Sequence, residues 1–198
     1  MLAGVAVLLG FGAALLWRYS SPQIQLATGT YLAPARAVPD FSLIDQRGAP
    51  FEPSNLDGHW SLVFFGYTNC PDFCPATLVT LAAMEKNLRA EGAAPPQVVF
   101  VSVDAQRDTP QQLAKYVPYF DPTFIGVTAS DQPTLETWAR KLGVAVALVP
   151  SAGGGYTVDH SDAIFVVDPA GKIAAILTGP FTADTLQADF DRIVAVHG

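Results

Sequence analysis

Two cysteines four residues apart, Cys70 and Cys74, stand in the stretch Gly66-Tyr67-Thr68-Asn69-Cys70-Pro71-Asp72-Phe73-Cys74-Pro75. They are the only cysteines of the chain. A pair is too few for a disulfide scaffold, which leaves a redox couple, two soft metal ligands or two buried thiols. Proline at position 75 belongs in the first turn of a helix, so Cys74 is expected near a helix N-terminus. There the free backbone N–H groups and the helix dipole favour thiolate, and both sulfurs are expected to be partly ionised. If the loop constrained by Pro71 folds back, the two sulfurs can reach either a disulfide or a single metal ion. Paired cysteines flanking Pro and Asp at an exposed turn are unlike ordinary core residues.

A discriminating metal site needs a further ligand, and the chain has three histidines, His59, His160 and His197. His59 follows Gly58 in a turn and His197 is penultimate, so both read as surface residues. His160 lies in Tyr156-Thr157-Val158-Asp159-His160-Ser161, after Gly153-Gly154-Gly155. A flexible glycine segment can carry its imidazole over the thiols and let it go again, with Asp159 or Ser161 orienting the ring. The plain alternative is a surface histidine. Two thiolates and an imidazole suit Cu(I), hold Cu(II) if a water or another ligand approaches, and also match a zinc site, so ligand identity alone does not name the metal. The glycine run lacks the Lys-Ser/Thr that would make it a phosphate loop.

The elements that must position these groups follow from hydrophobic period. Trp60 to Phe65 is a continuous apolar run, as in a strand covered on both faces, and Cys74, Leu78, Leu81, Glu85 and Leu88 then form a helical stripe with Glu85 as its polar break. Further strands are expected at Phe41–Ile44, Val98–Val103, Phe124–Val127 and Val144–Val149, and further helices at Pro110–Tyr116 and Pro133–Leu142. Ala163–Val167 and Lys172–Leu177 flank the turn Asp168-Pro169-Ala170-Gly171, and Thr182–Val196 makes a closing helix. Alternating strands and helices followed by a hairpin and a helix describe an α/β fold, a mixed sheet flanked by helices as in thioredoxin-like domains, a pattern that other α/β folds share.

Composition narrows the partners. A net charge of -7 over 198 residues, with no Lys/Arg run, argues against nucleic acid, and a hydrophobic fraction of 50% excludes wholesale disorder. Leu2 to Trp17 is an uncharged apolar run closed by Arg18-Tyr19, short of the roughly 20 residues of a full membrane span. With no small-x-small cleavage site after it, residues 1–19 are read as an N-terminal membrane anchor, with a signal segment as the alternative. Residues 20–38, with Pro22 and Pro34 and little hydrophobic period, are read as a tether, and 39–198 as the folded domain.

Together the residues resemble the Sco/SenC family of copper-binding, thioredoxin-like proteins that assist cytochrome c oxidase assembly. The resemblance runs through Pro39-Asp40-Phe41, the Phe64 to Pro75 segment, Val103-Asp104, Arg107-Asp108-Thr109-Pro110, Asp159-His160-Ser161 and Asp168-Pro169-Ala170-Gly171. It implies that Cys70, Cys74 and His160 bind copper received from a donor protein. It further implies that the protein helps metallate the dinuclear copper site of oxidase subunit II. It also implies one membrane helix with the domain on the extracytoplasmic side. The absence of an Arg-rich presequence favours a single-pass protein of a bacterial inner membrane, facing the periplasm. The rival reading is an exported thiol:disulfide oxidoreductase that keeps the oxidase cysteines reduced, with Cys70 and Cys74 as the redox pair and little need for His160. A peroxidase reading from Thr68-x-Cys70 is opposed by Phe65 where such sites carry proline.

Overall fold

The computed structural model describes residues 24–151 and 154–197. Ten strands and four helices occur among them: β1 (Gly29–Ala37), β2 (Leu43–Asp45), β3 (Pro50–Phe51), β4 (Ser61–Gly66), α1 (Phe73–Ala90), β5 (Gln97–Ser102), α2 (Pro110–Tyr116), β6 (Ile125–Thr128), α3 (Gln132–Lys141), β7 (Val146–Pro150), β8 (Tyr156–His160), β9 (Ala163–Val167), β10 (Lys172–Thr178) and α4 (Ala183–His197). Eight strands form one sheet in the order β1-β10-β9-β4-β5-β6-β2-β3, while β7 and β8 pair only with each other. The β4–β5 and β5–β6 pairs are parallel and the others antiparallel, giving the expected mixed sheet.

The central strands β4 and β9 are buried at every residue, which is why they read as apolar runs without alternation. Side chains still alternate between the two faces. Phe65 packs on Trp138 of α3 on one face, whereas Phe64 packs on Phe100 and through it on Tyr116 of α2 on the other. The latter face also receives α1, which packs against α4. Trp138 donates its indole N–H to the Pro39 carbonyl at 3.1 Å, so a large aromatic on a core face keeps its polar atom satisfied.

Residues 29–37 are not a tether. They form β1, an edge strand paired antiparallel with β10 from Gly29↔Leu177 to Ala37↔Lys172, with a register shift between Tyr31 and Arg36. Pro34 sits in that irregular stretch, the position where a sheet tolerates a residue without an N–H. Just upstream, the buried Asp189 of α4 accepts hydrogen bonds from the N–H groups of Ala27 and Thr28 at 2.8 and 2.7 Å and from the Thr28 hydroxyl at 2.7 Å. The partner of β1 lies some 140 residues further along the chain, and local period carries no trace of such a pairing. The anchor expected at 1–19 lies outside the described residues. Among the described residues no helix is long and apolar enough to cross a membrane.

Glu85, the polar break in the α1 stripe, is buried and pairs with Arg89, which also reaches Asp121 at 3.1 Å. Burial outweighs Arg89 and lifts the Glu85 carboxyl from its ordinary 4.5 to about 6. Because the folded value is the higher one, the stabilisation from a protonated Glu85 is complete below pH 4.5 and is lost as pH rises through about 6. Glu85→Gln should therefore gain on the wild type by about 2 kcal/mol between pH 4 and pH 7. Parallel urea melts at the two pH values check this, and a constant difference between the proteins would refute it.

Candidate metal centre

Strand β4 ends at Gly66, and the loop after it hands the chain to α1. The Cys70 N–H donates to the Tyr67 carbonyl at 3.2 Å, closing the turn. Asp72, at the helix N-cap, makes no side-chain cap bond. The N–H of Cys74 instead donates to the sulfur of Cys70 at 3.3 Å, so a thiol takes the place of the usual capping oxygen and is drawn over the helix terminus. The absence of a side chain at Gly66 makes the room: a Cβ there would lie 3.0 Å from Cys74 Sγ and 2.6 Å from the Phe100 ring.

His160 closes the group. Its Nδ1 lies 3.0 Å from the Ser161 carbonyl oxygen. A carbonyl only accepts, so this contact places a proton on Nδ1 and leaves Nε2 as the nitrogen that faces the thiols. Nε2 lies 3.6 Å from Cys74 Sγ, and the three ligand atoms of Cys70, Cys74 and His160 are all within 4.8 Å of one another. Tyr67 meets the imidazole edge-on, with ring centroids 6.0 Å apart. A cleft of about 370 Å³ opens over Cys70 and His160, walled by Tyr67, Phe73 and Val158 and rimmed by Asp159 and Asp162. Of the two residues expected to orient the ring, Ser161 does so through its backbone, while Asp159 lies exposed.

Two expectations require correction. Cys74 is fully buried, and that burial, reinforced by the Cys70 side chain and by Asp108, pushes its thiol up rather than towards thiolate. A helix terminus is worth on the order of 1 kcal/mol, less than the cost of leaving a charge in an apolar pocket. Nor does a glycine segment carry His160. The histidine ends β8, opposite Val146, while Gly154 and Gly155 lie at the far end of the hairpin beyond Pro150↔Tyr156. Gly154 and Gly155 have φ of 88° and 80°, conformations glycine adopts without a Cβ penalty, and the Ser151 N–H donates to the Gly155 carbonyl at 3.1 Å.

Four functional positions escaped the sequence reading or carried no role in it. Asp108 is buried and accepts from the Thr68 N–H at 2.9 Å, the Thr68 hydroxyl at 2.6 Å and the Ser102 hydroxyl at 2.7 Å, fixing the loop that leads to Cys70. The Thr68 hydroxyl is thereby committed to Asp108. Asp104, Arg107 and Tyr156 form a second group nearby: Arg107 pairs with Asp104 and lies over the Tyr156 ring at 3.9 Å. The signal available was the string of charged residues Asp104, Arg107 and Asp108 directly after an apolar strand.

A strand-to-helix turn bearing two free thiols beneath an imidazole defines a thioredoxin-like protein with a soft-metal or thiol centre. Residues 29–195 match the SCO1/SenC family, and the chain belongs to it. The bovine mitochondrial protein named SCO2 homolog is 39% identical over 158 residues, covering 79% of this chain and 59% of the bovine one, so the chain spans well under two thirds of that relative. The copper-bound crystal structure of ScoI from Arabidopsis thaliana matches with a TM-score of 0.76 and 31% identity over 80% of this chain and 99% of that one. Copper-bound yeast Sco1 matches with a TM-score of 0.74 and 29% identity over 81% and 89%.

Proposed function

We propose that the protein carries copper as cargo, holding it between Cys70, Cys74 and His160, and passes it on during cytochrome c oxidase assembly. The observation that carries this reading is the placing of His160 Nε2 3.6 Å from Cys74 Sγ, with the ligand atoms of all three residues within 4.8 Å of one another. A redox pair needs no third donor, whereas two sulfurs and one imidazole are a fitting donor set for Cu(I), and for Cu(II) with a further ligand. The cleft over Cys70 and His160 gives a partner's ligands access to the metal. By family resemblance, the recipient is the dinuclear copper site of oxidase subunit II and the source is a copper donor protein. Residues 1–19 serve as the anchor in a bacterial inner membrane, with the domain 39–198 together with β1 facing the periplasm.

Titration of the reduced full-length protein with copper tests the reading. One copper per chain is expected, with sulfur-to-metal charge-transfer absorption on Cu(II) addition. His160→Ala should weaken binding by roughly 10- to 100-fold, the range that even outer partners of metal ligands command. Copper affinity indifferent to His160 would transfer the assignment to a thiol:disulfide oxidoreductase working through Cys70 and Cys74 alone. The observation favouring that alternative is the closeness of two unoxidised thiols, bridged by the Cys74 N–H.

A further inference from the structure

The β7–β8 hairpin is a separate two-stranded sheet, hydrogen-bonded to none of the eight strands of the main sheet. It nevertheless delivers His160 to within 3.6 Å of a thiol on α1. Something outside strand pairing must hold it there, because an isolated hairpin is marginal at best in water.

We propose that Arg107, clasped between Tyr67 and Tyr156, is the positioning residue that docks this hairpin and thereby sets the third metal ligand. Its guanidinium lies 3.9 Å from the centroid of Tyr156 on β8 and 5.8 Å from that of Tyr67 on the cysteine loop. Its Nη1 donates to the Tyr156 carbonyl at 2.9 Å, and its Nε pairs with the buried Asp104. The Tyr156 hydroxyl donates to the same carboxylate at 2.8 Å, closing a ring of three residues. Nη2 is buried without an acceptor, so the residue is held by the stack and by these bonds rather than by complete hydrogen-bond satisfaction. A planar guanidinium does this and an ammonium cannot, since stacking and forked donation both need the flat delocalised group.

The neighbouring residue performs the matching task on the other half of the centre. Asp108 holds Thr68, two residues before Cys70. The turn from Asp104 to Asp108 thus grips the thiol loop with one residue and the imidazole hairpin with another, and the geometry of the centre depends on both. Removing Arg107 should free the hairpin while the thiols stay in place.

The inference rests on the copper reading for its metal readout, and hydrogen exchange on the metal-free full-length protein tests it independently. In Arg107→Ala the amides of β7 and β8 should exchange at least about tenfold faster, with those of β4, β5 and β9 unchanged. Arg107→Lys preserves a partner for Asp104 and should keep the wild-type melting temperature, yet show the same loosening of the hairpin. Tyr156→Phe, which retains the ring and loses the bond to Asp104, should show a smaller effect of the same pattern. Copper affinity should fall by about the same factor in Arg107→Ala as in His160→Ala, and the double variant should be no weaker than His160→Ala alone. Unchanged exchange in β7–β8, or losses that multiply in the double variant, would overturn the role. If His160→Ala leaves copper affinity intact, the metal-centre reading fails while the exchange data still decide the clasp.

Discussion

In a Cys74→Ser variant, copper affinity of the reduced protein falls by more than about 100-fold, since partners one shell further out are already worth 10- to 100-fold. Cys74 is the buried member of the three, in contact with the sulfur of Cys70 through its N–H and with His160 through Nε2. A serine hydroxyl in its place is a hard, weakly acidic oxygen that copper takes poorly in exchange for a thiolate. The same burial sets a pH signature. Because the Cys74 thiol is pushed above its ordinary value of 9.0, it is protonated in the metal-free protein throughout the neutral range, and copper must displace that proton. Apparent affinity should accordingly rise about tenfold per pH unit on account of this thiol alone. That component of the slope is expected to vanish in Cys74→Ser. Competition against a chromogenic chelator, corrected for the chelator's own protonation, measures both quantities. Binding within tenfold of the wild type would remove Cys74 from the centre.

The largest loss of stability is expected at Asp108. Replacement by alanine strands the Thr68 N–H, the Thr68 hydroxyl and the Ser102 hydroxyl, three donors that now end on one buried carboxylate. At roughly 1–3 kcal/mol for each buried donor left unmet, and with some relaxation, the cost is about 3–5 kcal/mol. For a domain of this size that is a fall in melting temperature on the order of 10 °C. Asp108→Asn keeps one acceptor oxygen in the same place and should lose less than half as much. Calorimetry on the two variants checks the order. An Asp108→Ala protein melting within about 2 °C of the wild type would show that this carboxylate is not what holds the Thr68 loop.

The parts of the fold that depend on local pattern could be read from the residues. β4, β9 and β10, and the helices α1 to α4, begin and end within about two residues of where apolar period, Pro and Gly place them. The grouping of Cys70, Cys74 and His160 was legible through the resemblance to the Sco/SenC family, since the residues alone left His160 equally open to a surface role. What depends on distant pairing was not. β1 owes its strand to β10, and β8 owes its own to β7 across a glycine turn, so neither shows a strong period of its own. The state of the Cys74 thiol was misjudged for a related reason. The helix terminus that favours thiolate is visible in the sequence, whereas the burial that opposes it depends on Phe100 and Gly66, brought there by other strands. Arg107 and Tyr156, 49 residues apart, form a contact that no spacing rule anticipates.

Because Cys74 is fully enclosed while Cys70 and His160 border the cleft, the centre has a front and a back. If the centre carries copper as proposed, an incoming ligand would reach the ion from the front, and Cys74 would be the last group to let go. An ion carried in this way would not be free between donor and recipient. It would keep at least one sulfur while the recipient's ligands take hold, and arrival and departure would share one doorway.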